Sequence, residues 1–261
     1  MESSDWLHDP VLAPLLAEVR ADPETEGLLL SGSRGAGVHH QESDYDLEWV
    51  LNETAFDQRR ERGDPLHLPH HPLYPRIDLS YTCPRELVAL AAQAGWQLPG
   101  YTTAVVLYDR SGCLAPLLQE MVTIPAERAN ADLLGWFDAY LNAFYRSLKA
   151  WRRGNVLGAQ LQATESVMHL VRVLFALERR WPPYHDRLLT QLALLDPQGW
   201  PPGYLATTLL QISQTGDPTL QQQLESRTEA LLRERGFVPD LWDGEIERVK
   251  AWQFGGSESS S

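Results

Sequence analysis

The sequence predicts an α+β protein in which a small mixed sheet with flanking helices is followed by an all-helical C-terminal domain. Two observations carry this expectation. Segments that alternate polar and apolar residues, the period of a half-buried strand, all lie before residue 110. Beyond about residue 125 apolar residues recur at helical spacing, with no strand signal of comparable quality. The boundaries expected from this change are 1–124 for the first domain and 125–254 for the helical one. The tail at 255–261 is too small and polar to pack and is expected to be disordered.

The elements follow in order. Asp9 and Pro10 suit an N-cap and first helical position for a helix over residues 9–20. Leu28-Leu29-Leu30 reads as a buried strand running into the glycine-rich turn Ser31-Gly32-Ser33-Arg34-Gly35-Ala36-Gly37. Residues 44–51, 76–81 and 104–108 read as further strands, and 85–94 as a helix. Between the second and third strands, residues 64–75 form a proline-rich loop; its His67, His70 and His71 have no second ligand cluster at metal-site spacing. In the second domain, Leu133, Trp136, Phe137, Tyr140, Leu141, Phe144, Leu148 and Trp151 mark one helix, ended at Gly154. Another runs from Val156 to about Arg180, with an apolar stripe through Leu157, Leu161, Thr164, Met168, Val171 and Phe175. Later helices are expected over 185–195, 204–214, 218–235 and 240–253.

Composition narrows the function classes. Hydrophobic residues at 43% and charged residues at 22% are ordinary for a globular chain of 261 residues. Met1-Glu-Ser-Ser-Asp has neither the basic start nor the apolar core of a signal peptide, and no stretch approaches the roughly 20 apolar residues of a membrane span, so a cytoplasmic protein is expected. Cys83 and Cys113 are too isolated for a zinc knuckle or redox pair. A formal net charge of −13 disfavours nucleic acid as a partner and would attract a small cationic molecule.

The informative feature is a spacing. Gly32-Ser33 is followed, after ten residues, by Asp44-x-Asp46, and Asp78 comes later on a separate strand. Alternate residues of a strand face one way, so Asp44 and Asp46 share a side. Asp78 can reach the same edge while Ile77 and Leu79 point inward. Three converging carboxylates repel unless a divalent cation joins them, and magnesium takes a few carboxylate oxygens completed by water and phosphate. Such a site can neutralise a triphosphate and align a hydroxyl for attack on phosphorus. The glycine lets backbone approach phosphate oxygens, Ser33 can donate a hydroxyl proton, and Arg34 brings positive charge.

Leu30-Ser31-Gly32-Ser33, the ten-residue gap, Asp44-Tyr45-Asp46-Leu47 and Arg76-Ile77-Asp78-Leu79 together resemble the signature of the polymerase-β-type nucleotidyltransferase superfamily. The likeness extends to its small bacterial members, the aminoglycoside and lincosamide nucleotidyltransferases, which pair a minimal catalytic domain with a helical one. The motifs span residues 28–81. The resemblance implies that Asp44 and Asp46 bind magnesium, as one or two ions, that Asp78 is the third acidic residue, and that Gly32 and Ser33 hold nucleotide phosphates. It implies transfer of a nucleoside monophosphate, AMP foremost, from a nucleoside triphosphate such as ATP to a small-molecule hydroxyl, an aminoglycoside-like acceptor among the candidates. Protein-modifying and antitoxin-type transferases, and a nucleotide-binding module without turnover, are the alternatives.

In the antibiotic-modifying relatives a helical-domain glutamate is the proposed base, and the candidate here is Glu165. With His169 and Arg172 it forms a polar edge beside the apolar stripe. A surface cluster pairing Glu165 with His169 or Arg172 is the structural alternative. Trp181-Pro-Pro-Tyr184-His185-Asp186-Arg187 follows as a stiff turn able either to contact substrate or to cap a helix.

Overall fold

The computed structural model describes residues 5–93 and 97–254, and the expectation for the tail at 255–261 falls outside them. The chain divides into two compact units, Met1–Thr123 and Ile124–Ser261. The fold is α+β: a mixed five-stranded sheet in the first unit and a helical second unit. Among the described residues no helix is long and apolar enough to cross a membrane.

In the first unit the order is α1 (Ala13–Ala21), β1 (Thr25–Leu30), α2 (Gly32–Gly35), β2 (Tyr45–Leu51), α3 (Glu53–Glu61), β3 (His67–Leu68), β4 (Ile77–Thr82), α4 (Pro84–Gln93), α5 (Leu98–Tyr101), β5 (Val105–Asp109) and α6 (Leu114–Met121). The helix expected from Asp9 starts later, at Ala13 with Leu12 as its N-cap, and Asp9 instead closes the preceding turn, its carboxylate accepting the Val11 amide at 2.8 Å. The sheet runs β3-β4-β2-β1-β5. Every pairing is antiparallel except β2 with β4, which run parallel. On one face Leu28, Leu30, Tyr45, Leu47, Trp49, Ile77, Leu79 and Leu107 enter a common core with Leu12, Leu15, Leu16 and Val19. The other face of β2 and β4 carries the polar residues of the alternation.

Helices α3, α5 and α6 are not among the expected elements, and two further segments depart from expectation. The proline-rich loop contributes β3, a two-residue edge strand paired with β4 through His67 opposite Ser80, with the His67 imidazole 3.0 Å from the Ser80 hydroxyl. The glycine-rich segment after β1 is a single helical turn, with Val38 bonded back to the Ser33 carbonyl.

The second unit holds α7 (Ala126–Arg152), α8 (Val156–Leu177), α9 (Leu188–Leu192), α10 (Tyr204–Thr215), α11 (Pro218–Glu234) and α12 (Glu245–Lys250). Helices α7 and α8 form an antiparallel hairpin around Phe137, Tyr140, Leu141, Phe144 and Leu148, each large buried side chain worth roughly 1.5–3 kcal/mol. The stripe expected on α8 is corrected in part. Leu157, Leu161 and Met168 are exposed, whereas Val171 and Phe175 are buried as expected, and the packed face also runs through Ala159, Ala163, Ser166, Val167, Leu170, Val173 and Leu174. Ala159, Ala163 and Ser166 let the two helix backbones approach closely, which Leu at those positions would prevent.

A buried ion cluster ties α11 to α12. The Lys250 ammonium lies 3.1 Å from Glu225, 2.5 Å from Glu229 and 2.8 Å from Glu247. Burial outweighs the lysine's attraction at Glu225 and pushes its carboxyl up to about 7. Bonds from Lys250 and Arg233 override burial at Glu229 and hold it below the usual range. A carboxyl raised in this way adds stability below its unfolded value near 4.5 and loses that contribution as pH climbs through 7. Glu225→Gln removes this dependence, so its melting temperature relative to wild type should rise by several degrees from pH 5 to pH 8, a change on the order of 2 kcal/mol. Thermal melts of both proteins across that range test this; a pH-independent difference would show that Glu225 does not titrate there.

Candidate active site

Strand β2 and the turn after β1 build the site together. β1 ends at Leu30, opposite Leu47 of β2, and the chain then turns through Ser31 and Gly32. The Ser31 amide donates to the Asp46 carbonyl at 2.9 Å, fixing the turn against the strand. Gly32 has a φ of +63°, and a Cβ there would fall 1.7 Å from Oδ2 of Asp46. Glycine is therefore required twice, for its backbone conformation and for the space the Asp46 carboxylate occupies.

Pairing across the parallel strands supplies the second carboxylate. Asp46 is the register partner of Asp78, with Tyr45 beside Ile77 and Leu47 beside Leu79. Neighbouring strands lie about 4.8 Å apart, so the two carboxylates emerge side by side on one face. Both are half-buried, as is Asp44, just ahead of β2, while Tyr45 and Leu47 are buried on the other face. Asp78 is steadied by the His70 backbone amide, which donates to its Oδ1 at 2.7 Å.

The expected three-way convergence is corrected in one respect. Among the described residues no group of three or more His, Cys, Asp or Glu side chains is gathered closely enough to hold a metal ion. Asp46 and Asp78 are brought together by register, and Asp44 stands just ahead of β2. Asp78 is turned partly to the His70 amide. The donor chemistry still suits magnesium: Asp46 and Asp78 on one face of the sheet with Asp44 half-buried just ahead of the strand, beside a backbone turn kept bare by glycine.

Arg34 is buried, and its guanidinium donates to the Ser43 carbonyl at 3.1 and 2.8 Å while lying 3.8 Å over the Tyr45 ring. Arg76 also donates to the Ser43 carbonyl, at 3.1 Å. Within the fold, Arg34 thus anchors the segment entering Asp44, a placement that differs from the expected phosphate contact. Ser33 is half-buried on the turn. Sequence reasoning missed Glu48, two residues beyond Asp46 on the same face. It accepts a hydrogen bond from the Tyr101 hydroxyl at 2.8 Å, and burial pushes it up to about 7. The alternation Asp44-x-Asp46-x-Glu48 was the available signal.

In the second unit Glu165 is exposed on α8. It accepts from the Gln162 side-chain amide at 2.8 Å and lies 3.8 Å from the His169 imidazole, so the expected surface pairing forms. Burial, then the Arg172 charge, lower His169, which stacks on Trp136. Glu165 and His169 line a cavity of about 360 Å³ between α7 and α8. From the stiff turn, Arg187 is buried 5.4 Å over the Tyr184 ring.

A family model described as a domain of unknown function, DUF4037, matches residues 94–187, which lie after the strands bearing the aspartates and reach through α8. No curated protein matches the chain. Among solved structures, the chain is similar to a nucleotidyltransferase-like protein from Exiguobacterium sibiricum 255-15, at 18% identity and a TM-score of 0.41 over 86% of this chain and 74% of that one. It is also similar to an aminoglycoside 6-adenyltransferase from Bacillus subtilis, at 11% identity and a TM-score of 0.37 over 92% of this chain and 95% of that one.

Proposed function

We propose that the protein is a magnesium-dependent nucleotidyltransferase that moves a nucleoside monophosphate, AMP foremost, from a nucleoside triphosphate to a hydroxyl of a small molecule and releases pyrophosphate. The observation that carries this reading is the side-by-side register of Asp46 and Asp78, with the Asp46 carboxylate filling the space left by Gly32. A binding module has little use for neighbouring carboxylates that repel, whereas transfer at a phosphorus atom needs the cation they recruit.

In this reading Asp44, Asp46 and Asp78 hold the ion. When bound, magnesium supplies charge neutralisation on the triphosphate and the pyrophosphate that leaves. The backbone after Gly32 and the Ser33 hydroxyl bind phosphate oxygens, and Arg34 supports them by fixing the Ser43–Asp44 segment. The acceptor hydroxyl forms the new bond to the α-phosphorus as the bond to the pyrophosphate oxygen breaks. We assign the hydroxyl proton to Glu165, which is exposed on α8 of the second unit.

Asp46→Asn and Asp78→Asn should each lower nucleotidyl transfer by more than about a hundredfold while leaving the metal-free melting temperature within a few degrees of wild type. The assay is mass-spectrometric detection of nucleotidylated products with magnesium, each nucleoside triphosphate and a pooled acceptor library. Wild-type turnover by either variant refutes the assignment. Gly32→Ala should both destabilise the fold and abolish transfer, because its methyl group would collide with the Asp46 carboxylate; retained activity with an unchanged melting curve argues against the turn's role. Glu165→Gln should lower kcat about tenfold or more without weakening nucleotide binding. Unchanged kinetics would return Glu165 to a surface pair with His169.

A further inference from the structure

We propose that the groove between α7 and α8 binds a small anionic molecule bearing a phosphate. The anion site stands on the groove itself, independently of the transferase reading. A cavity of about 580 Å³, within the range of small-molecule sites, is lined by Arg146 and Lys149 of α7 and by Arg153 immediately after it. Tyr145 and Trp242 form its aromatic wall, with ring centroids 5.8 Å apart. It shares Asn142, Arg146 and Gln162 with the cavity that reaches Glu165 and His169, so one groove joins three cations to the candidate base.

Among the described residues Arg146 and Arg153 have no carboxylate partner, while Lys149 faces Glu245 at longer range. Arg146 donates to the Asn142 side chain at 2.6 Å, and the Lys149 ammonium lies 4.8 Å over the ring of Tyr145, whose hydroxyl bonds Glu245 at 2.9 Å. Among the described residues no carboxylate forms an ion pair with any of the three. Like charges on neighbouring helical turns cost a few tenths of a kcal/mol per pair. The end of a helix favours cations, which accounts for Lys149 and Arg153, but Arg146 lies more than a turn further in. A phosphate resolves the repulsion, because guanidinium and ammonium groups bind its oxygens with charge-assisted hydrogen bonds.

Charge is distributed unevenly between the two units. Residues 1–123 contain eight basic and nineteen acidic residues, whereas residues 124–261 contain fourteen and sixteen. The acidic excess therefore belongs almost wholly to the unit with the aspartates, and the helical unit is free to attract anions. A nucleic-acid polymer needs an extended basic track rather than one cavity beside exposed acidic groups.

The test is a titration of isotopically labelled full-length protein in EDTA, first with inorganic phosphate and then with glucose 6-phosphate. The Trp242 indole is the reporter, assigned through Trp242→Phe. Wild type and Asp46→Asn should show saturable shifts of that signal and of the α7 amides. Arg146→Gln/Lys149→Gln/Arg153→Gln should weaken them about tenfold or more. Absence of a saturable response, equal affinity in the triple variant, a stronger response to kanamycin, or product confined to the RNA fraction would overturn the proposal. Transfer that proceeds without any phosphate response overturns this inference alone. A phosphate response without transfer to any acceptor instead overturns the transferase reading and leaves the anion site standing.

Discussion

The parallel pairing of β2 with β4 is the constraint on which the site depends. Parallel strands need a crossover, and the chain makes it through α3 and the proline-rich segment before β4 returns beside β2. The register then places Asp46 beside Asp78 and buries Ile77, Leu79, Tyr45 and Leu47 on the opposite face. A slip of one residue would put both carboxylates into the core and expose four apolar side chains. Core burial on one face therefore sets carboxylate spacing on the other, and the repulsion there is carried by the hydrophobic free energy of the whole sheet.

Gly32 completes this arrangement because its missing side chain is where the Asp46 carboxylate lies. Arg34 and Arg76 contribute from behind, gripping the Ser43 carbonyl so that Asp44 enters at a fixed point. The tyrosine between the two aspartates gives Arg34 a ring face and sends its hydroxyl to Asp9, coupling the entry segment to the helix-capping turn. Carboxylate placement and core packing are thus performed by alternate residues of one strand.

Much of this was legible in the sequence because strand alternation is a strong local signal. Leu28–Leu30, the run from Asp44, and Ile77–Leu79 each state their face in the order of residues. Legibility failed where the signal was weak or nonlocal. The first half of the packed face of α8 is Ala159, Ala163 and Ser166, which carry little hydropathy, so Leu157, Leu161 and Met168 suggested a stripe there that the fold leaves exposed. Arg34 reads as a phosphate ligand from its neighbours, but its partner is a carbonyl nine residues away. Strand β3 is two residues long and exists through its pairing with β4, which no local pattern announces. The cationic groove was hidden for a different reason: whole-chain net charge averages two units of very different balance.

Two sets of carboxylates among the described residues show how burial separates structure from chemistry. Glu225, Glu229 and Glu247 converge on Lys250, with Glu225 removed from solvent altogether. Breaking such a pair leaves an uncompensated buried charge, typically costing 3–5 kcal/mol, so the cluster is locked into the fold. Asp44, Asp46 and Asp78 remain half-exposed at the rim of a bare glycine turn. Solvent can reach them, and so can a hydrated cation and the phosphates it accompanies. Accessible carboxylates held in register on a rigid sheet can exchange partners during a reaction cycle, which a buried lysine cluster cannot do without unfolding its surroundings.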